Sequence, residues 1–157
     1  MRVALGNDHA GLPLRAVVIG LLESLGHDLV DFGTDQERPA DYPYFAARVA
    51  QAVRDGEADL GVVICGTGIG SSITANKIRG GYCALCNDAY SARMARSHNA
   101  ANVIALGARV IGPGLAEEIL RVFLAAEPSA DPRHVRRRKL VDRVQAGGEE
   151  LGQEQPL

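Results

Sequence analysis

Residues 61–72 read GVVICGTGIGSS, and this stretch predicts a buried strand, a tight turn and the start of a helix. The apolar run ends at Cys65, and glycines follow at positions 66, 68 and 70. In a glycine-rich turn, successive backbone N–H groups can point toward one anion, and a helix N-terminus adds roughly half an elementary positive charge. A thiol at this place is favoured as the thiolate. The stretch therefore predicts a reactive cysteine beside an anion-binding nest.

Apolar runs of strand length alternate with segments of helical period on both sides of this stretch. Such alternation is typical of β-α-β units, in which a mostly parallel sheet is covered on both faces. The sequence therefore predicts an α/β fold with a mostly parallel, five-stranded sheet. The predicted strands cover residues 2–6, 28–32, 60–65, 82–86 and 103–106.

The predicted helices carry apolar residues at the i, i+3, i+4 spacing of a buried helix face. One segment, 14–25, stops before Gly26, and another, 41–56, stops at Gly56, since glycine is common at helix C-termini. Further helices are predicted over residues 89–97 and around 115–123. In the segment 14–25 one continuous apolar stripe is formed by Leu14, Val17, Val18, Leu21, Leu22 and Leu25.

The composition changes after Pro128. Residues 133–139 read RHVRRRK and begin a basic helix that reaches about Val144. The last residues contain a Gly-Gly pair and three glutamates, a composition typical of mobile chain ends. We therefore predict a single domain over residues 1–146, which ends in the basic helix, and a flexible tail over residues 147–157.

The overall composition limits the classes of partner. At 157 residues, a single domain buries about two thirds of the surface that its unfolded chain exposes, so no disulfide framework is needed. A net charge of −2 gives no reason to expect nucleic acid or a membrane surface, and no apolar run approaches the roughly 20 residues of a membrane span. Three cysteines and an N-terminus without a signal-peptide core favour the reducing cytoplasm.

Polar residues follow three of the predicted strands, at the edge where an open parallel sheet binds its ligands. Asp8 and His9 come after the first strand, Cys65 closes the third, and Asn87-Asp88 follow the fourth. Each position also has a structural interpretation, since aspartate suits a helix cap and a free cysteine is usually a buried core residue. Their convergence on one edge favours a functional site.

The glycine turn lacks the remaining marks of two known phosphate motifs. Its G-x-G-x-G spacing is not followed by the acidic residue of a dinucleotide fingerprint, and it lacks the Gly-Lys-Ser/Thr of a P-loop. What remains is a general anion nest, which can hold a phosphate, a carboxylate or the enediolate oxygen of a sugar.

Two further pairs admit both a functional and a structural interpretation. Cys83 and Cys86 have the C-x-x-C spacing of zinc and redox sites, but an i, i+3 pair on a strand points to opposite faces of the sheet. We therefore predict two small core residues and no metal site. His98 and Asn99 close the predicted 89–97 helix, where they form either a capping pair or, through the near-neutral imidazole, a proton carrier.

The basic segment also contains a candidate anion site. Arg133 and Arg137 are spaced i, i+4 and therefore share one side of a helix, where they can jointly hold a phosphate. His134 lies close enough to assist. The other cations of the run are predicted to be solvent-exposed surface charge: Arg136, Arg138 and Lys139.

Five motifs, in order, resemble those of the type B ribose-5-phosphate isomerases, the family that also holds the galactose-6-phosphate isomerase subunits. They are GNDHAG at 6–11, DYP at 41–43, CGTGIG at 65–70, ANK at 75–77, and HN at 98–99 with GAR at 107–109. The likeness covers about residues 1–145. It implies a Rossmann-like three-layer sandwich and an aldose–ketose isomerisation without metal or cofactor. It also implies a homodimer, or a tetramer, whose active sites are shared between subunits.

The resemblance implies catalytic roles around the glycine turn. Cys65 matches the base that moves a proton between C2 and C1 of the open-chain sugar. One branch of the family lacks this cysteine and has a glutamate six positions later, where this chain has Ser71, so the cysteine branch is indicated. His98 matches the group that assists opening of the furanose ring, with Thr67 as a helper. The nest for the enediolate oxygen consists of Gly66, Gly68, Ile69 and Gly70.

Substrate contacts follow from the same resemblance. Asp8 matches a residue that binds sugar hydroxyls, and Tyr42 resembles a wall of the pocket. Further contacts match Asn99 and Arg109, and the phosphate pocket matches His9, Arg133, His134 and Arg137. The implied reaction interconverts ribose 5-phosphate and ribulose 5-phosphate. The alternatives are an isomerase of a tetrose, allose or galactose phosphate, a non-catalytic phosphate-binding module, and a redox protein that uses the C-x-x-C pair.

Overall fold

The computed structural model describes residues 1–147 and contains one five-stranded sheet with helices on both faces. The neighbouring strands are parallel throughout this described sheet, in the order β2-β1-β3-β5-β4. The strands are β1 (Arg2–Asn7), β2 (Asp28–Asp31), β3 (Leu60–Cys65), β4 (Cys83–Leu85) and β5 (Val103–Gly107). The predicted α/β fold and the Rossmann-like sandwich are confirmed. The predicted tail at 147–157 lies, apart from Gly147, outside the described residues.

Six α-helices and one short 3₁₀ helix (His9–Gly11) lie within these residues, and the predicted basic helix is one of the six. They are α1 (Leu12–Ser24), α2 (Tyr42–Arg54), α3 (Ile69–Lys77), α4 (Ala89–Asn99), α5 (Pro113–Ala125) and α6 (Pro132–Gln145). Gly26 and Gly56 adopt positive φ angles of 70° and 73° just beyond α1 and α2, as expected for glycines at helix ends. Between residues 1 and 147, no helix combines the length and apolarity needed to cross a bilayer.

Several predicted boundaries were wrong by one or two residues. β2 ends at Asp31 rather than at residue 32, because the Asp31 carboxylate accepts the Gly33 N–H at 2.9 Å and the chain turns there. β4 is shorter than predicted at both ends. α4 continues to Asn99, because Ala100 ends it in a left-handed conformation with φ of 53°. His98 and Asn99 therefore lie in the last helical turn and are not its cap.

The core has one apolar layer on each face of the sheet. Large side chains of α1 and α5 fill the first layer, with Leu14 and Phe123 fully buried. On the second face α2 lies very close to the strands, since an ideal Cβ at Gly61 would be 2.5 Å from Val49 and one at Gly6 would be 2.7 Å from it. The absence of two side chains in the sheet thus sets the position of α2, whose first residues lie at the carboxyl edge.

Candidate active site

The turn between β3 and α3 forms a nest around the sulfur of Cys65. The Gly68 N–H donates to Cys65 Sγ at 3.1 Å, and the Ile69 N–H donates to Thr67 Oγ1 at 3.3 Å. Cys65 is 4% exposed and ends β3 at the carboxyl edge of the sheet. An N–H donor aimed at the sulfur, at the positive end of a helix, stabilises negative charge there. We call residues 65–70 the thiol nest.

Glycine is required at the centre of the thiol nest. Gly68 has a φ of 77°, a backbone region that side chains disfavour. An ideal Cβ there would lie 2.4 Å from Leu85 Cδ1 and 3.2 Å from the Gly107 nitrogen. At Gly107 itself, a Cβ would lie 2.6 Å from the Thr67 carbonyl oxygen. The turn is therefore packed directly against the end of β5.

Two predicted substrate contacts border the thiol nest. The Arg109 side chain lies over Gly66, because an ideal Cβ at Gly66 would be 3.5 Å from the guanidinium carbon. The Tyr42 ring packs against the first turn of α3, since a Cβ at Gly70 would lie 2.5 Å from Tyr42 Cζ. The structure thus brings a cation and an aromatic ring to the same turn as the thiol.

Asp8 and His9 lie beside the thiol nest because β1 and β3 are neighbours. The Asp8 N–H donates to the Ile64 carbonyl at 3.3 Å, one residue before Cys65. Asp8 is buried and its Oδ1 accepts the Gly11 N–H at 3.0 Å, so the cap interpretation is correct for that oxygen. His9 Nδ1 accepts the Ala40 N–H at 3.1 Å, which leaves Nε2 as the N–H of the neutral imidazole.

A second group of predicted residues lies between α4 and α6. The ring of His134 stacks on that of His98, with centroids 4.1 Å apart and planes at 19°. Burial, together with the neighbouring His98, lowers the pKa of His134 below its ordinary value. Both imidazoles border a cleft of about 760 Å³, which Asn99 and Arg137 also line and which we call the helix cleft. Arg133 lies one turn away from Arg137 and forms an ion pair with Asp131.

Arg138 was predicted to be an exposed surface charge, and this prediction was wrong. Its guanidinium donates to the carbonyl of His98 at 3.3 Å and to that of Ser129 at 3.0 Å. A cation at the C-terminal end of α4 also compensates the negative end of the helix dipole. The sequence contained a usable signal, because Arg138 is at i+4 from His134 and therefore lies on the same face of α6.

The two groups do not share one cavity within this chain. Of the described residues, those that line the helix cleft include none from the thiol nest and neither Asp8 nor His9. The predicted site residues therefore fall into two separate half-sites, one around Cys65 at the carboxyl edge and one around the stacked imidazoles.

The C-x-x-C pair has the predicted core character. Cys83 packs with the apolar layer under α2, whereas Cys86 is fully buried in the opposite layer. Burial raises the pKa of Cys83 to about 12 and that of Cys86 to about 11, so both thiols stay protonated near neutral pH. All three cysteines are free. These two thiols do not form a redox pair across one face of the sheet.

Comparison with known proteins gives concordant matches. Residues 3–141 match the family described as Ribose/Galactose Isomerase. The chain is 43% identical over 126 residues to ribose-5-phosphate isomerase B of Escherichia coli (strain K12). This alignment covers 80% of this chain and 85% of that protein. It is 45% identical over 129 residues to D-erythrulose-4-phosphate isomerase of Pectobacterium atrosepticum, which covers 81% of this chain and 84% of that one.

A solved structure agrees over almost the whole fold. Ribose-5-phosphate isomerase B of Clostridium thermocellum superposes with a TM-score of 0.91 and 43% sequence identity. The match covers 94% of this chain and 99% of that one. The likeness therefore includes both the sheet that carries the thiol nest and the helices that border the helix cleft.

Proposed function

The chain belongs to the Ribose/Galactose Isomerase family, and on that premise we propose that it interconverts ribose 5-phosphate and ribulose 5-phosphate. The observation that carries the proposal is the thiol nest, in which Cys65 Sγ accepts the Gly68 N–H at 3.1 Å. An aldose–ketose isomerisation needs a base for a carbon-bound proton and donors for the oxyanion that forms. Both lie within residues 65–70. The reaction would serve the pentose phosphate part of carbohydrate metabolism.

In the proposed mechanism, the Cys65 thiolate removes the C2 proton of the open-chain aldose. The electron pair of the broken C–H bond forms the enediol double bond, and the carbonyl oxygen at C1 becomes the oxyanion. We assign stabilisation of this oxyanion to the nest of Gly66, Gly68, Ile69 and Gly70, in which the Gly68 N–H is shared with Cys65 Sγ. The thiol returns the proton to C1, and the C2 hydroxyl gives its proton to the C1 oxygen. The product is the ketose, and no redox partner is consumed.

Ring opening and substrate positioning use the remaining candidates. We assign ring opening to His98 with Thr67 as a helper, the sugar hydroxyls to Asp8, and further contacts to Asn99 and Arg109, with Tyr42 as a pocket wall. The phosphate goes to His9, Arg133, His134 and Arg137. Binding the phosphate away from the reacting carbons positions the substrate without weakening the chemistry.

We infer a homodimer, or a tetramer built from such dimers, with active sites shared between subunits. The two half-sites do not share a cavity in one chain, and we infer that a complete site combines the thiol nest of one copy with the helix cleft of another. Support comes from the apolar residues around the thiol nest: Ile69 and Ile73 are 53% and 55% exposed, and Tyr42 and Tyr44 are also exposed. Covering these side chains with a partner would remove apolar surface from water and bring a partner's helix cleft to Cys65.

The second candidate function is the same isomerisation of a different sugar phosphate. This candidate is favoured by the 45% identity to D-erythrulose-4-phosphate isomerase, a level close to that of the ribose enzyme. A panel of ribose, erythrose, allose and galactose phosphates distinguishes the two. A kcat/KM advantage for ribose 5-phosphate supports our proposal, whereas an advantage for another sugar transfers the mechanism to that substrate.

Cys65→Ala tests the chemistry directly. Loss of a general base lowers turnover by about 10²–10⁴-fold. We expect this loss with binding of ribose 5-phosphate retained, measured by a coupled assay and by calorimetry. Cys86→Ala is the matched control, since it also removes a buried sulfur but lies in the core. Unchanged turnover in Cys65→Ala would remove Cys65 from the mechanism, and a wild-type chain that binds but never turns over would be a phosphate-binding module.

We place the enzyme in the cytoplasm, where sugar phosphates are handled and thiols remain reduced. The free cysteine at the centre of the proposed mechanism requires that environment. Neither nucleic acid nor a membrane has a role in this proposal.

A further inference from the structure

Asn7 is a buried polar side chain that the proposed mechanism does not use. It ends β1, is 1% exposed, and makes three side-chain hydrogen bonds. Its Nδ2 donates to the carbonyl of Asp8 at 3.0 Å and to that of Thr34 at 2.8 Å, and its Oδ1 accepts from Arg15 Nη1 at 2.8 Å. A buried amide with all these partners is fixed in one orientation.

Arg15 and Asp31 anchor this amide with charge. Arg15 Nη1 also donates to Asp31 Oδ1 at 3.0 Å, and Arg15 Nη2 pairs with Asp31 Oδ2, which makes the contact bidentate. The Arg15 hydrogen bond lowers the pKa of Asp31 below its ordinary value. A bidentate arginine–carboxylate pair fixes geometry as well as charge. Because the two residues lie on α1 and β2, they tie these two elements to the end of β1.

The network contacts the start of the segment 33–41, which joins β2 to α2. Near its start, the Thr34 N–H donates to the Asn7 carbonyl at 3.2 Å, and the Thr34 carbonyl accepts from the Asn7 amide. Near its end, the Ala40 N–H donates to His9 Nδ1. Gly33 leaves room for the Asn7 amide and its Arg15 partner, since an ideal Cβ there would be 2.1 Å from Asn7 Oδ1 and 2.5 Å from Arg15 Nη1.

We propose that Asn7 and Arg15 are positioning residues that hold the segment 33–41 against His9 and thereby keep its imidazole in the Nε2–H form for the substrate phosphate. The proposal rests on the proposed function for the identity of the anion. The chain of contacts runs from the Arg15–Asp31 pair through the Asn7 amide to Thr34, and from Ala40 to the imidazole. Neither Asn7 nor Arg15 needs to touch the substrate.

Arg15→Met tests the proposal, because it keeps most of the aliphatic stem and removes the guanidinium. We expect KM for ribose 5-phosphate to rise roughly tenfold with little change in kcat, as for lost positioning of a binding group. We also expect faster hydrogen exchange at the amides of Thr34 and Ala40. The nitrogen NMR signals of His9 should change from one tautomer to a mixture. Arg15→Lys, which keeps one charged donor, should recover part of each effect.

Arg2→Met is the matched control, since Arg2 pairs with Asp59 near the opposite end of β1. It should leave KM, exchange and the His9 signals as in the wild type. Arg15→Met with wild-type exchange and a single His9 tautomer would overturn the proposal, and so would the same shifts in Arg2→Met. If the wild type does not isomerise ribose 5-phosphate, the proposed function fails, whereas the exchange and NMR comparison still supports or overturns the positioning network.

Discussion

Replacing Gly68 by alanine perturbs the thiol nest at its centre. Gly68 carries a positive φ and donates its N–H to Cys65 Sγ, so the substitution affects both the backbone and the proposed base. An alanine Cβ meets Leu85 Cδ1 at 2.4 Å and the carbonyl carbon of Leu106 at 3.0 Å. Leu85 can move its side chain, whereas the backbone of β5 cannot move without disturbing the sheet.

The magnitude follows from these two contributions. A left-handed backbone costs a residue with a side chain about 1–2 kcal/mol. Overpacking a tight interior adds about 1–3 kcal/mol, so Gly68→Ala should lower the free energy of unfolding by about 2–5 kcal/mol. We expect the turn to relieve this contact by shifting the Gly68 N–H away from Cys65 Sγ. Because this N–H also belongs to the proposed oxyanion nest, its displacement should lower kcat by about 10²–10³-fold, the cost of one lost oxyanion donor.

The chain offers a matched control in Gly26→Ala. Gly26 has a similar φ of 70°, but an ideal Cβ there has nothing within 4 Å. It should therefore lose only the backbone contribution, about 1–2 kcal/mol, and keep full activity. Urea unfolding at constant pH measures the free energies, and a coupled assay with ribose 5-phosphate measures kcat on the folded protein.

Two results would refute this reasoning. If Gly68→Ala unfolds no more easily than Gly26→Ala, the contact with β5 carries no cost and the turn is looser than its distances indicate. If Gly68→Ala is destabilised but retains wild-type kcat, the N–H that contacts Cys65 has no part in catalysis. The proposed base would then have to be activated by another group.

Three further predictions concern α6 and the core thiols. Arg138→Met removes the guanidinium that donates to the carbonyl of His98 at the end of α4 and to that of Ser129, so KM for ribose 5-phosphate should rise roughly tenfold. Arg143→Met on the same helix should not change KM. His134 has a folded-state pKa below its ordinary 6.5, so the unfolded chain binds its proton more readily. Stability should therefore fall as the pH decreases below about 6.5, and His134→Gln should flatten this loss in urea unfolding. Alkylation of the native protein near pH 7, followed by peptide mapping, should label neither Cys83 nor Cys86; labelling of either thiol contradicts its raised pKa.

The parts of the site that could be predicted are those encoded in contiguous sequence. The thiol nest needs a strand, a cysteine and glycines at fixed spacing, and GVVICGTGIGSS contains all of them. The parallel pairing of the strands follows from their alternation with helices, whereas the order β2-β1-β3-β5-β4 was not predicted. The proximity of Asp8 and Cys65 could be predicted, because both lie at the ends of strands that share one edge of the sheet.

The parts that could not be predicted depend on contacts between distant segments. Nothing local indicates that Arg15 bonds to Asn7 and Asp31, or that His9 accepts the Ala40 N–H. The partners of Arg138 could not be predicted either. An arginine in a basic helix is expected to be exposed unless the element that packs against the helix is known. The predicted ends of β2 and α4 differed from the observed ones for a similar reason. β2 ends where the Asp31 side chain accepts the Gly33 N–H, and α4 ends where Ala100 adopts a left-handed conformation.

The parallel pairing of β1 with β3 also has a kinetic consequence. Asp8 and Cys65 become neighbours only when the register that joins Asn7 to Ile64 has formed across the whole β1-α1-β2-α2 segment. Pairing strands that are distant in sequence requires closure of a long loop, and such contacts form slowly. During refolding from urea, helix signals can therefore recover before this ladder closes. The recovery of turnover would then follow the formation of the β1–β3 ladder, later than the recovery of the helix signal.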